Sequence, residues 1–216
     1  MGFAIFQYFG GLLSLLFLKV FTRLEIHGRE HLNELTRPFI AVANHESHLD
    51  PQLVGVALLA RPGLFPLRYM AKNELFYLPG INLLMWLMGA FRAHKKRGIE
   101  RSLNTPLAIL KSGGAVIMFP EGRVIKQRPK LGEGRRGAAM LALMTGATLL
   151  PVSVHTPHDM IPIIPFAFGR PRVVIRIGEP FFLNNVEFPD LSDDNTYRAT
   201  QLIMERIGDL YYQHEY

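Results

Sequence analysis

A histidine and an aspartate stand five positions apart in the segment Asn44-His45-Glu46-Ser47-His48-Leu49-Asp50. On one regular helix that separation turns two side chains about 140° away from each other, so they would not meet. Asp50-Pro51, however, reads as the start of a helix, with Asp50 as N-cap and Pro51 at the first helical position. The residues before it then form a turn, and His45 can fold back to the Asp50 carboxylate. One carboxylate oxygen is expected to serve the helix amides and the other to accept an imidazole N–H. The second ring nitrogen is left free as a general base. A second polar turn, Phe119-Pro120-Glu121-Gly122-Arg123, offers backbone amides, a carboxylate and a guanidinium to a polar head group.

Both turns follow short apolar runs. Pro38 to Asn44 (PFIAVAN) and Ala115 to Phe119 (AVIMF) suit strands buried on both faces, and α/β proteins place their sites where such strands end. Leu24 to Gly28, Leu149 to Val154 and Arg172 to Ile177 read as further strands, the last alternating as a half-exposed strand does. Helices are expected after Asp50, over Ser102 to Lys111, over Glu133 to Thr145 with Gly146 as its stop, and over Thr196 to Tyr212. Leu75 to Met88 is rich in Leu, Phe and Met, holds the only Trp, and is interrupted by Pro79-Gly80. Strands alternating with helices predict an α/β fold: a central mixed sheet flanked by helices.

The chain of 216 residues is 49% hydrophobic and 19% charged, too apolar for a disordered protein and oily for a soluble one. It has no cysteine, which excludes disulfides, a thiolate nucleophile and Cys-ligated zinc. The net charge is +6, and between Arg92 and Arg136 twelve Lys or Arg face only Glu100, Glu121 and Glu133. A basic middle serves nucleic acid, an anionic membrane or a phosphorylated substrate. The N-terminus chooses lipid. Met1 to Leu18 carries no charge, and only Gln7 and Ser14 are plainly polar. As a helix it would reach about 27 Å, against a hydrocarbon core of about 30 Å. No basic segment precedes it and no small-residue cleavage site follows, so an anchor fits better than a signal peptide. Lys19 and Arg23 follow directly, as expected at the cytoplasmic face. Residues 1–23 are therefore expected to be a membrane-anchoring segment and 24–216 the catalytic domain.

Together the two turns resemble the PlsC-like glycerophospholipid acyltransferases, among them the 1-acylglycerol-3-phosphate acyltransferases. That family carries an NHx4D motif, here Asn44-His45 to Asp50, and an FPEG motif, here Phe119 to Gly122. Met70 to Leu75, Gly89-Ala90-Phe91, Arg136 to Ala139, Leu150-Pro151-Val152 and Gly178-Glu179-Pro180 match flanking family segments in order. The resemblance implies that His45 is the general base and Asp50 orients it. An acceptor hydroxyl then attacks a thioester directly, with no metal, no cofactor and no covalent acyl-enzyme. The donor would be acyl-CoA or an acylated carrier protein, and the acceptor lysophosphatidic acid or another lysolipid. Asn44, Glu121 and Gly122 carry over as substrate-binding residues. The chain departs from the pattern twice. Lys95 stands where the family has an arginine six residues after Gly89, and Arg123-Val124-Ile125 replaces Thr-Arg-Ser after FPEG. Phosphate binding is therefore expected of Lys72, Lys95 and Arg123, lysine acting as a point charge without arginine's fork.

Competing patterns are weaker. His45-Glu46-Ser47-His48 is one residue short of the HExxH spacing that seats zinc on a helix face, so no metal is expected. Gly132 to Gly137 lacks the Lys-Ser/Thr ending of a phosphate loop and reads as a flexible turn. His155 and His158 are expected in a loop, and Lys126 to Arg136 as a solvated or membrane-facing rim. No nucleic-acid motif accompanies the basic segment, so nucleic acid is not an expected partner. A non-catalytic lipid-binding protein that kept the fold is the remaining alternative, which the intact His45, Asp50 and Glu121 oppose.

Overall fold

The computed structural model describes residues 2–71, 73–92, 98–125, 130–156, 169–183 and 187–213. In chain order the elements are α1 (Gly2–Phe21), β1 (Arg23–His27), β2 (Phe39–Ala43), α2 (Asp50–Ala57), β3 (Leu67–Ala71), α3 (Ile81–Leu87), β4 (Ala90–Arg92), α4 (Gly98–Lys111), β5 (Ala115–Met118), α5 (Gly137–Thr145), β6 (Thr148–His155), β7 (Arg172–Ile177) and α6 (Asp193–Tyr212). The strands form one seven-stranded sheet, ordered β1-β7-β6-β2-β5-β3-β4. Among the described strands, β6 and β7 pair antiparallel and the other strand pairs are parallel, with an isolated antiparallel bridge between Leu149 and Phe181. The expected mixed sheet with flanking helices is the observed architecture.

β2 sits at the centre with all five residues buried, which explains its unbroken apolar run. Phe39, Ala41 and Ala43 face a core completed by Leu53, Val54 and Val56 of α2. Ile40 and Val42 face the opposite core with Ala138 and Leu141 of α5 and Ile203 and Ile207 of α6. Along α6, Ala199, Ile203, Ile207 and Tyr211 are buried at four-residue spacing, so one stripe of the helix lies on the sheet. Full burial of each such isoleucine stabilises the fold by about 1.5–3 kcal/mol.

Several details depart from expectation, among them α4, which begins at Gly98 rather than Ser102. Strands β3 and β4 carry no readable period: β3 has Arg68 at its second position and β4 is three residues long. Helix α5 begins at Gly137 rather than Glu133, because the backbone before it serves the Phe119–Gly122 turn instead: Gly132 N donates to Glu121 Oε1 and Arg135 N to the Pro120 carbonyl. α6 begins at Asp193, capped by Ser192, whose side chain accepts from Asn195 N, with Asp193 and Asp194 favourably placed in the first turn. His155 lies in β6, not a loop, its ring stacked on Tyr211 at 4.3 Å; His158 lies outside the described residues.

α1 packs against the domain, and among its polar side chains Gln7 and Ser14 help make the attachment. The Gln7 amide donates to the carbonyls of Leu67 (2.8 Å) and Met88 (2.7 Å) and accepts from Leu67 N (2.8 Å). Ser14 Oγ accepts from Gln52 of α2 at 2.6 Å. Gly11 lets Leu59 approach so closely that a Cβ there would lie 2.8 Å from a Leu59 methyl. Gly89, beside Gln7, is needed for a different reason: its φ is +91° and a Cβ would sit 2.2 Å from the Leu67 carbonyl oxygen.

Candidate active site

Strands β2 and β5 are parallel neighbours with Val42 opposite Met118. His45 and Glu121 each lie three residues past that pair, so both turns leave the sheet at the same height. There, at the C-terminal ends of the central strands, they form one site. His45 Nδ1 lies 2.9 Å from Asp50 Oδ2, and its N–H donates to that carboxylate. Asp50 is completely buried, while the imidazole is 17% exposed. The turn holds the carboxylate from every side: Oδ2 also accepts from Glu46 N (2.7 Å) and Ser47 N (2.8 Å), and Oδ1 accepts from Ser47 Oγ (2.5 Å).

One expectation is corrected here. Asp50 does not cap its own helix. The N-cap position of α2 is Leu49, without a side-chain bond, and both Asp50 oxygens point back to the turn. A carboxylate facing the imidazole and two upstream amides at once has no oxygen left for the amides of α2.

The rest of the turn is fixed by residues distant in sequence. The Asn44 side chain donates to the Val154 carbonyl (2.8 Å) and accepts from Val154 N (2.7 Å), extending the β2–β6 ladder by one side-chain rung. Asn44 is 1% exposed and both ends of its amide are engaged. Glu121 accepts from His45 N through Oε2 and from Gly132 N through Oε1, each at 2.7 Å. Burial pushes its carboxyl above the ordinary range, against the pull of those two amides. The His45 carbonyl accepts from Ile125 N (2.7 Å), and the Phe119 ring stacks on the imidazole at 4.2 Å. These contacts leave the imidazole little freedom to rotate away from Asp50.

Among the residues expected to contact substrate, Asn44 and Glu121 thus direct their polar atoms into the protein backbone. Gly122, at φ +66°, completes the turn, its N–H donating to the Phe119 carbonyl. Arg123 is exposed beside it. Lys72 and Lys95 lie outside the described residues. His48 is exposed. Sequence reasoning left Arg135 in a solvated rim, yet its side chain lies over Gly122, where an added Cβ would be 2.8 Å from Arg135 Cδ and Nε. Its position next to the Arg136-Gly137 family match was the available signal. Glu46 and Tyr211 were also missed. Glu46 Oε1 accepts from Tyr211 Oη (2.7 Å) and Oε2 from Thr156 N (3.0 Å). Among the described residues, no three His, Asp or Glu side chains converge as a metal site would require.

Residues 23–155, more than half of the chain, match the family model described as Acyltransferase. The chain belongs to the acyltransferase family. It is 28% identical over 173 residues to a 1-acyl-sn-glycerol-3-phosphate acyltransferase of Bacillus subtilis, covering 80% of each chain. A Streptococcus pneumoniae relative of the same description is 27% identical over 183 residues, 84% of this chain and 64% of that one. A chloroplastic Arabidopsis thaliana relative is much longer, and this chain spans 38% of it. The crystal structure of the 1-acyl-sn-glycerophosphate acyltransferase PlsC from Thermotoga maritima superposes with a TM-score of 0.66 at 24% identity. That alignment covers 97% of this acyltransferase and 78% of PlsC, and it establishes a shared fold.

Proposed function

We propose that this chain is a 1-acylglycerol-3-phosphate O-acyltransferase, moving an acyl group from a thioester donor to the free hydroxyl of lysophosphatidic acid to form phosphatidic acid. The observation that carries the reading is the His45–Asp50 pair at 2.9 Å, set between the ends of β2 and β5. With Nδ1–H bound to Asp50, Nε2 is the free base. It takes the acceptor hydroxyl's proton as that oxygen attacks the thioester carbonyl. The thiolate then leaves, and the imidazolium returns the proton to it, so protons balance and the enzyme is regenerated. General-base assistance of this kind contributes about 10²- to 10⁴-fold. Asp50 steadies the imidazolium, Asn44 and Glu121 hold the turn that carries it, and Gly122 shapes the floor of the acceptor site. Arg123 and Arg135, with Lys72 and Lys95, supply cations for the acceptor phosphate, Arg135 standing in for the displaced family arginines. The donor is acyl-CoA or an acylated carrier protein, and no cofactor takes part.

The same reading puts the chain on a membrane, at its cytoplasmic face, with residues 1–23 as the lipid-facing segment and 24–216 as the catalytic domain. α1 is long and apolar enough to cross a bilayer. Its attachment along the domain through Gln7 and Ser14 favours a helix lying in one leaflet. Phe6, Phe9, Leu13 and Leu16 remain outward on α1, and Leu83, Leu84 and Trp86 on α3. The Phe3 and Trp86 rings, 5.6 Å apart, make the two surfaces continuous.

Purified protein with acyl-CoA and lysophosphatidic acid tests the chemistry. Thiol release and a phosphatidic acid product in the mass spectrum are expected, and His45→Ala should abolish both while still binding vesicles. A His45→Ala protein turning over at the wild-type rate refutes the mechanism. Trp86 is the only tryptophan, so brominated lipids in vesicles should quench its fluorescence. Unquenched emission from vesicle-bound protein would refute the in-plane seating.

A further inference from the structure

The proposed chemistry uses His45 and Asp50, but the turn between them also holds Glu46, whose side chain reaches the far end of the chain. Its backbone N–H serves Asp50 Oδ2, while its side chain turns away into the protein, 7% exposed. There one oxygen accepts the Tyr211 hydroxyl at 2.7 Å and the other accepts Thr156 N at 3.0 Å. Tyr211 is 3% exposed and belongs to the last turn of α6, 165 residues further along the chain. Its ring is held in turn. The His155 ring stacks on it at 4.3 Å, and His155 Nε2 lies 3.0 Å from the Tyr211 carbonyl oxygen, placed to donate to it. Both residues lie next to fixed structure: Glu46 follows the catalytic histidine directly, and His155 ends β6, one residue after the Val154 that clamps Asn44.

We infer that Glu46 and Tyr211 are positioning residues for the acyl transfer proposed above, a strut through which α6 sets the orientation of His45. The match to the family model ends at residue 155, so the strut joins the catalytic turn to a helix outside the matched region. The physical reason is the direction of each restraint. Asp50 pulls the turn toward α2, Glu121 and Phe119 hold it from β5, and Asn44 holds it from β6. Glu46 supplies the anchor to α6. A hydroxyl donating to a carboxylate in a site shielded from water is among the stronger hydrogen bonds available for that task.

The full-length chain and its Tyr211→Phe, Glu46→Ala and Glu46→Gln variants test this. Tyr211→Phe keeps the ring, its stack on His155 and its packing, and removes only the hydroxyl. Amide hydrogen exchange over residues 44–49 is expected to quicken about ten-fold or more in Tyr211→Phe, the factor expected for losing one bond to a charged acceptor. Global Tm should fall by only about 3–6 °C, the shift that a ten-fold change in the folding equilibrium produces in a chain of this size. With acyl-CoA and lysophosphatidic acid, kcat should fall by a similar factor while KM stays within about two-fold, as for a group that acts on the transition state rather than on binding. Glu46→Gln keeps an oxygen for the Tyr211 hydroxyl and should recover part of the kcat lost in Glu46→Ala. Wild-type exchange and kcat in Tyr211→Phe would overturn the inference, as would losses that simply track Tm. A wild-type chain without turnover would refute the acyltransfer reading alone, and exchange at residues 44–49 would still decide whether the strut exists.

Discussion

Replacing Asp50 by asparagine separates charge from shape at the proposed catalytic turn. With its oxygen in the Oδ2 position, an asparagine still accepts from His45 Nδ1 and from the amides of Glu46 and Ser47. Its nitrogen then lies where Oδ1 was, facing the Ser47 hydroxyl. That hydroxyl can rotate to accept, since it has two lone pairs and Leu49 N occupies only one. What disappears is the negative charge opposite the imidazolium that the proposed proton transfer would form. Two unit charges about 4 Å apart attract by about 4 kcal/mol at an effective dielectric of about 20. That dielectric suits a ring that is still 17% exposed. A neutral acceptor keeps about 1 kcal/mol as an ordinary hydrogen bond. The remaining loss of about 3 kcal/mol corresponds to about a hundred-fold in kcat. The assay is continuous thiol release from acyl-CoA at saturating lysophosphatidic acid, with circular dichroism to confirm an unchanged fold. An Asp50→Asn protein within about three-fold of wild-type kcat, less than 1 kcal/mol, would refute the role given to the carboxylate charge.

Three further outcomes follow from the same contacts. Asn44→Ala leaves the buried N–H and C=O of Val154 unpaired, at about 1–3 kcal/mol each, so urea unfolding should show a loss of at least about 2 kcal/mol. Arg135→Ala should raise KM for lysophosphatidic acid about ten-fold with kcat little changed, as expected of a group that binds ground and transition states alike. An acceptor lacking the phosphate should show no such change. At the surface, the Arg172 guanidinium holds the Glu25 carboxyl down at about 2. Because the folded pKa is depressed, this pair's contribution is present above the ordinary value of 4.5 and is lost as pH falls from there toward 2. In Arg172→Ala the Glu25 titration, followed by carboxyl NMR, should move up toward the ordinary carboxylate range.

The sequence by itself determined the features whose causes are local. An apolar run buried on both faces reads as a central strand, and β2 and β5 are such runs. His45 and Asp50 are five residues apart, so a single turn suffices to join them. The apolar α1 was legible in the same way, and two polar exceptions within it, Gln7 and Ser14, proved to help attach it. Only the tertiary structure decided what meets across the sheet. His45 N reaches Glu121 across 76 residues, Asn44 reaches Val154 across 110, and Glu46 reaches Tyr211 across 165. Hydrophobic period records which face of a strand is buried but not which strand lies beside it. Strand order is set by how the connections and both cores close together, and that order is what brings these hydrogen-bonding groups within reach of one imidazole.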